Sequence, residues 1–374
     1  MKVLVATDAW HPQVNGVVRT LGSLARAASK LGAAIEFLSP EGFPSFRLPT
    51  YPGLRLAVPS RRRVAARIEA ANADAIHIAT EGPIGFAVRS YCRRNRRPFT
   101  TSYTTRFPEY ISTRSPIPES LIYAVLRWFH ADATVTMVAT PSLMSELGQR
   151  GFAHLGMWTR GVDIDLFRPD RAIELRFPRP VFMTVGRVAM EKNLEAFLSL
   201  DLPGTKVVIG TGPQEQKLKR EFPDAKFLGP LENGTLAAHL AAADVFVFPS
   251  RTDTFGIVQL EALASGVPVA AFPVTGPKDV VGDRPIGVLH EDLGRACMAA
   301  LALSRDACRK FALDYSWENS ARQFLGHVHK VAGNRVQEAA MAITETAAGR
   351  CSSPPPLASA RHRSAGHAQR QDEP

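Results

Sequence analysis

The chain has 374 residues, 45% of them hydrophobic and 21% charged, a globular balance and a length that suits two domains. No apolar run reaches the roughly 20 residues of a spanning helix, and the N-terminal MKVLVATDAW reads as a buried strand rather than a signal peptide, so a cytoplasmic protein is expected. Four scattered cysteines (Cys92, Cys297, Cys308, Cys351) without a CxxC pair argue against a zinc site or disulfide framework. The formal net charge of +10 gathers at Arg61, Arg62, Arg63 and Arg67, and again at Arg93, Arg94, Arg96 and Arg97. Such clusters attract polyanions, or are simply solvated helix ends.

In chain order, KVLVAT (2–7) reads as a buried strand, followed by a loop with Pro12, Asn15 and Gly16 and a helix from about Val17 to Lys30. AAIEFLS, DAIHIA (74–79), PFTTSY (98–103) and ATVTMVATP (133–141) are further strands, with helical stretches between them. The charged, Pro-rich RGVDIDLFRPDRAIELRFPRP reads as an interdomain connection. The alternation then restarts: PVFMTVG (180–186), TKVVIGTG (205–212), AKFLGPL (225–231), ADVFVFPS (243–250) and VPVAAFP (267–273) are buried strands. The expected fold is α/β, two doubly wound Rossmann-like domains in tandem. From about Gly349 the chain is Ser/Pro/Arg-rich without apolar periodicity and reads as disordered.

In open parallel sheets the chemistry lies just beyond the C-terminal strand ends. After strand 180–186, GRVAMEKN supplies Gly186, Arg187 and Lys192, two cations in the loop and first helical turn that suit a diphosphate. After strand 243–250, Asp253 lies in the loop and Thr254, Phe255 and Gly256 open a helix on which Glu261 stands eight residues beyond Asp253. The free amides of Phe255, Gly256 and Ile257 could hold an anion or a sugar oxygen. The plainer alternative is a helix capped by Asp253 or Thr254, with Glu261 on its solvent face. GTGPQEQKLK lacks the GxxxxGK[ST] spacing of a phosphate loop, so Gly210 and Gly212 are read as allowing a tight turn.

Taken in order, GRVAMEKN, GTGP, FLGPL and DVFVFPSRTDTFGIVQLEALASGVPVAA resemble the donor half of the family 4 retaining glycosyltransferases, which have the GT-B fold. WHPQVNGVVRTL, IHIATEGPIG, TSYTTRFPEY and RGVDIDLFRP extend the resemblance over all but the tail, nearest to bacterial lipid glycosyltransferases and α-mannosyltransferases. It implies two domains facing a cleft: an acceptor domain over 1–165, a sugar-nucleotide donor domain over 166–315, a helical segment over 316–345 returning toward the first domain, and a tail over 346–374. By that resemblance Arg187 and Lys192 bind the donor diphosphate, Glu261 the nucleotide ribose and Asp253 the sugar hydroxyls. Thr254 to Ile257 give backbone donors, and Gly16 lets the backbone approach the phosphates. Base contacts fall around Gly229–Leu231.

Three departures are visible. Asp253 stands where the family's usual E-x7-E has Glu, Gly16 is followed by Val17 where two glycines are common, and SYTT puts Thr104 where related sequences often have His. Thr104, Glu81, His11 and His77 are the acceptor-side candidates, although a His in IHIA also fits a packed core. Asp163 and Asp165 form a DxD within the junction; no metal and no other cofactor are expected, only a nucleotide sugar as co-substrate.

The implied activity is transfer of a hexosyl unit from a UDP- or GDP-sugar to a lipid or glycan hydroxyl. The basic clusters and SLIYAVLRWF (120–129) suit peripheral binding to an anionic membrane surface, although 120–129 also fits an amphipathic core helix. No nucleic-acid partner is expected, since no stacking-aromatic motif accompanies the arginines. The other reading is a catalytically degenerate sugar-nucleotide-binding protein or a basic membrane-associated regulator.

Overall fold

In the computed structural model, residues 1–11, 16–48, 51–112, 116–253 and 255–331 are described. The first run of the chain places β1 (Lys2–Ala6), α1 (Gly16–Lys30), β2 (Ala34–Leu38), β3 (Ser45–Leu48), β4 (Tyr51–Ala57), α2 (Arg61–Ala71), β5 (Ala75–Ile78), α3 (Pro83–Arg94), β6 (Thr100–Ser102), α4 (Phe107–Ser112), α5 (Glu119–His130), β7 (Val135–Val138), α6 (Pro141–Gln149) and β8 (Leu155–Met157). Six of these strands form one sheet in the order β2-β1-β5-β6-β7-β8, and every pairing in it is parallel. β3 and β4 form an antiparallel hairpin apart from it. The Pro-interrupted sequence of this hairpin gave no alternation to read.

The second run repeats the scheme with β9 (Val181–Val185), α7 (Leu194–Leu198), β10 (Thr205–Ile209), α8 (Glu215–Glu221), β11 (Lys226–Gly229), α9 (Asn233–Ala241), β12 (Val245–Phe248), α10 (Ile257–Ala264), β13 (Val269–Ala271), α11 (Pro277–Val280), β14 (Gly287–Leu289), α12 (Leu293–Ala300) and α13 (Arg305–Leu313). Its sheet runs β11-β10-β9-β12-β13-β14, again parallel throughout. The central strands carry continuous apolar runs, AIHI in β5 and VFVF in β12, because helices cover both faces and every residue of each is buried.

A last helix, α14, spans 317–331. It leaves the second sheet and packs on the first: Ala321, Phe324, Leu325 and Val328 share a core with Val3, Val5, Leu21, Leu24 and Trp158. The Trp158 indole donates to Ser320 Oγ at 3.1 Å, and Gln323 Oε1 accepts the Thr159 amide at 2.9 Å. The chain from Met1 to Ala332 is one compact unit. Val162 and Phe167 already pack in the second half's core. Residues 332–345 of the expected helical segment, and the tail over 346–374, lie outside the described residues.

Candidate active site

Each sheet reverses its winding once. The chain passes from β1 to β2 on one side and then crosses to β5 on the other; likewise from β9 through β10 and β11 before crossing to β12. The loops after β1 and β5, and after β9 and β12, therefore diverge and leave a crevice at each switch point, the place where open α/β sheets bind ligands.

At the second sheet's switch point, Gly186 ends β9 and the exposed Arg187 follows it. A Cβ on Gly186 would meet nothing within 4 Å, so the space beside the strand end is open. The chain then makes a short turn, Met190–Lys192, and enters α7 through Asn193 in the left-handed region at φ 52°. Asn193 Nδ2 donates to the Pro249 carbonyl at 3.0 Å and Ser250 Oγ to the Glu191 carbonyl at 3.1 Å, which ties this loop to the one after β12. Across that seam Lys192 Nζ donates to both carboxylate oxygens of Asp253 at 2.7 Å. The two residues are 26% and 24% exposed, so the pair remains reachable from solvent. An ammonium has three N–H donors, so Lys192 has one to offer an anion beyond the two it gives to Asp253.

Phe255 is buried in the core and Gly256 opens α10 at φ 78° with no side-chain cap. Only glycine fits at 256: a Cβ would stand 2.6 Å from the Phe248 ring and 2.7 Å from the Gln259 amide nitrogen. The plainer expectation for this helix is overturned. Asp253 turns to Lys192 instead of capping, and Glu261 lies inward at 2% exposure, because IVQLEALA buries most of its surface between β12, β13 and α13. Thr254 lies outside the described residues.

Glu261 has a partner that sequence reading missed. Arg19, in the first turn of α1 in the other half, donates from Nη2 to Glu261 Oε1 at 2.5 Å, while Oε2 is buried without a hydrogen-bond partner. Burial pushes the Glu261 carboxyl above its ordinary range, and the Arg19 charge and hydrogen bond oppose that. A second bond joins the halves: the Ser142 amide at the start of α6 donates to Asp279 Oδ1 at 2.9 Å. Gly16 opens α1 beside open space, since a Cβ there also meets nothing within 4 Å. A signal for Arg19 did exist in VNGVVRTL. A cation in the first turn of a helix works against the helix dipole, so it calls for a carboxylate from elsewhere.

The acceptor-side candidates separate. His77 is a correction: it is fully buried, its Nδ1 lies 2.9 Å from Thr100 Oγ1 and its Nε2 3.2 Å from Ser102 Oγ. Trp158 and Phe324 pack edge-on against its ring. Burial, then the Arg160 charge, lowers its pKa to about 3, so it is a neutral core residue with both nitrogens engaged. Glu81 lies in the loop after β5 at 8% exposure, with Oε1 3.2 Å from His130 Nε2. His130 Nδ1 in turn lies 2.9 Å from Thr101 Oγ1. Thr104, after β6, is partly exposed, and its Oγ1 lies 3.5 Å from the Ala79 carbonyl. His11 is exposed beside Trp10, at the edge of residues 12–15, which lie outside the described ones. Asp8 was also missed: it accepts the amides of Ile84 and Gly85 at 2.8 and 3.3 Å and so caps α3 from the loop after β1.

Asp163 spends its carboxylate locally, accepting the Asp165 and Leu166 amides at 3.2 and 3.0 Å. Gly210 and Gly212 are glycines for close approach: a Cβ would lie 1.9 Å from the Gly186 carbonyl oxygen and 2.3 Å from that of Val188. Gly229 ends β11 at φ 71° and Leu231 packs against the second half's core. Cys92, Cys297 and Cys308 are buried free thiols, whereas Cys351 lies outside the described residues. Among the described residues no helix is long and apolar enough to cross a membrane.

The model of glycosyltransferase family 4 matches residues 14–166 and that of glycosyl transferases group 1 matches residues 179–306. The chain is 28% identical to a GDP-mannose-dependent alpha-mannosyltransferase of Mycobacterium tuberculosis, over 91% of this chain and 99% of that protein. It is 27% identical to an alpha-monoglucosyldiacylglycerol synthase of Streptococcus pneumoniae, over 88% and 85%. The crystal structure of Anabaena HepE in complex with UDP and glucose superposes with a TM-score of 0.67 at 15% identity, covering 88% of this chain and all of that one, which speaks for the fold alone. Two family models in chain order, on two parallel sheets whose helices α1 and α10 meet at Arg19 and Glu261, lead to one conclusion: the chain is a glycosyltransferase of GT-B fold, built from a glycosyltransferase family 4 domain and a glycosyl transferases group 1 domain.

Proposed function

We propose that the enzyme moves a hexosyl unit from a nucleotide diphosphate sugar to a lipid or glycan hydroxyl, with retention at the anomeric carbon and without a metal. The observation that carries this reading is the grouping of Lys192, Asp253 and Glu261 at one switch point, with the first turn of α1 facing them. Arg187 and Lys192 hold the diphosphate, Asp253 orients Lys192 and takes sugar hydroxyls, and the uncapped amides of residues 255–257 give further donors. Gly16 leaves room for phosphate against the backbone. Glu261 takes the ribose, and Gly229–Leu231 the base.

The acceptor oxygen attacks the anomeric carbon from the leaving group's face. As the bond from that carbon to the diphosphate oxygen breaks, the acceptor's proton passes to the departing oxygen. Fixed cations and amides stabilise the charge that develops there, without waiting for solvent to reorganise. No protein base is required, which accommodates Thr104.

GDP-mannose is the first donor to try, because mycobacterial and corynebacterial relatives that align over 87–91% of this chain carry that donor in their names. The streptococcal relative's name favours a diacylglycerol-type acceptor. A peripheral membrane position is supported by α5. Its inner face packs Ile122, Tyr123, Leu126 and Phe129, whereas Leu121, Val125 and Trp128 on its outer face are 58%, 45% and 51% exposed. Flotation with anionic liposomes tests this: binding that weakens with salt is expected, and no binding at low salt removes the membrane from the account. For the activity, incubation with GDP- and UDP-sugars and a membrane lipid extract should yield a glycosylated lipid. Absence of both transfer and donor hydrolysis across the panel would point instead to a protein that binds without turnover.

A further inference from the structure

We propose that Arg19 is a positioning residue for the donor ribose: from the acceptor half it holds Glu261 Oε1, leaving Oε2 as the acceptor for one ribose hydroxyl. The proposal rests on Glu261 being the ribose-binding group. Two observations carry it besides that reading. The contact of 2.5 Å joins residues 242 apart, on helices α1 and α10, which follow strands of two different sheets. Glu261 Oε2, in a side chain only 3% exposed, has no hydrogen-bond partner. A buried carboxylate oxygen left unpaired is destabilising, and a hydroxyl donated by a ligand would relieve that.

The geometry also divides the labour. Arg19 is itself 40% exposed and so is anchored by helix α1 while its guanidinium reaches into the other half. Its place in the first turn opposes the dipole of α1, and a nearby nucleotide phosphate would gain the same positive field from both. Among the described charged groups around α10, Lys192 and Asp253 satisfy each other. Arg309, on α13, donates to the Phe167, Ala264 and Ile164 carbonyls. Arg305 on α13 donates to the Ala243 and Ala241 carbonyls, Asp279 on α11 accepts the Ser142 amide, and His239 on α9 bonds the Thr235 carbonyl, so Arg19 is the described charge that acts on Glu261. Without it, burial would drive Glu261 toward the neutral acid, a poorer acceptor for a hydroxyl.

The test is calorimetric binding of GDP and of UDP to the full chain at pH 6, 7 and 8. For the nucleotide bound better by wild type, Arg19→Gln should weaken affinity about tenfold at pH 8, the loss of one charge-assisted contact. The loss should be larger at the acid end of this range, because without Arg19 nothing offsets the burial that raises the Glu261 carboxyl. Arg19→Lys should restore most of the affinity and flatten the profile. In a Glu261→Gln background, Arg19→Gln should change affinity less than about twofold, since the two act through one contact. Unchanged or tighter binding by Arg19→Gln, with Lys192→Ala still weakened, overturns the role of Arg19 and leaves the donor site standing. Wild-type binding by both Lys192→Ala and Glu261→Gln overturns the donor site itself.

Discussion

Both halves are parallel sheets whose winding reverses once, with one strand, β2, beside β1 before the crossing in the first and two, β10 and β11, beside β9 in the second; they differ more in where their polar side chains stand. In the donor half, Lys192, Asp253 and Arg187 lie at or near the surface of the switch point, and a buried carboxylate, Glu261, looks across to the other half. In the first half the polar residues turn inward: His77, within β5, is sealed under α14, and beyond the strand ends Glu81 is bound to His130 and Asp8 caps α3. On the proposed reading the second half binds a diphosphate, which demands fixed cations and amides at set positions, so its residues can be recognised by type. An acceptor held by shape and apolar contact leaves no such signature.

Several changes would break or sharpen that contrast. The largest expected effect is structural. Phe324→Ala removes a fully buried ring that covers His77 and packs on Trp158, and should cost about 3–5 kcal/mol in urea unfolding. A loss below about 1 kcal/mol would mean that α14 is not part of the first half's core. Next comes Lys192→Ala, which should lower kcat by about 10²–10³-fold, as for other removed charge-stabilising donors. Because its pair with Asp253 is partly exposed, stability should change by no more than about 1 kcal/mol. Comparable losses of stability and turnover would make the pair structural, like the acceptor half's polar groups.

The pH dependence of stability separates His77 from a site role. Its pKa falls from the ordinary 6.5 to about 3 in the folded chain. The unfolded chain therefore takes up a proton first, and stability is whole above pH 6.5 and drains as pH falls toward 3. The slope approaches about 1.4 kcal/mol per pH unit below the unfolded pKa. Asp8 and Glu261, raised by burial, work in the opposite direction. Chemical denaturation from pH 7 to 4.5 should accordingly show a shallower fall in His77→Gln than in wild type, relative to each protein's own value at pH 7. Identical slopes would show that His77 takes up its proton as readily in the folded chain as in the unfolded one. The smallest effect is expected at Thr104: Thr104→Ala should reduce kcat less than tenfold, since the departing diphosphate takes the proton. A hundredfold loss would give the acceptor half a catalytic residue that this account denies it.

The fold was legible because buried parallel strands write themselves as apolar runs such as VFVF, and Gly256 and Gly266 punctuate α10. Short edge strands, β8 and β14 at three residues each, were too brief to register, and the β3–β4 hairpin was masked by its prolines. Within the site, Lys192, Asp253 and Glu261 were found by their order behind strands. Their mutual pairing was not, since Lys192 and Asp253 are 61 residues apart. Arg19 was missed for the same reason at greater distance: a contact between halves leaves no spacing in either. His77 misled because a histidine beside one hydroxyl-bearing strand, β6, looks the same in sequence whether it faces a cleft or a helix that returns 240-odd residues later.

The most direct measurement of the central claim is sugar transfer from GDP-mannose and UDP-glucose to a lipid extract, by wild type, Lys192→Ala and Glu261→Ala, with each variant's unfolding midpoint recorded alongside. Wild type should transfer sugar from one of these donors. Losses of about a hundredfold or more are expected in Lys192→Ala, with Glu261→Ala raising the donor KM and Lys192→Ala keeping its unfolding midpoint. Near-wild-type transfer by both variants would contradict the claim, and the donor site would have to be sought away from the β9–β12 switch point.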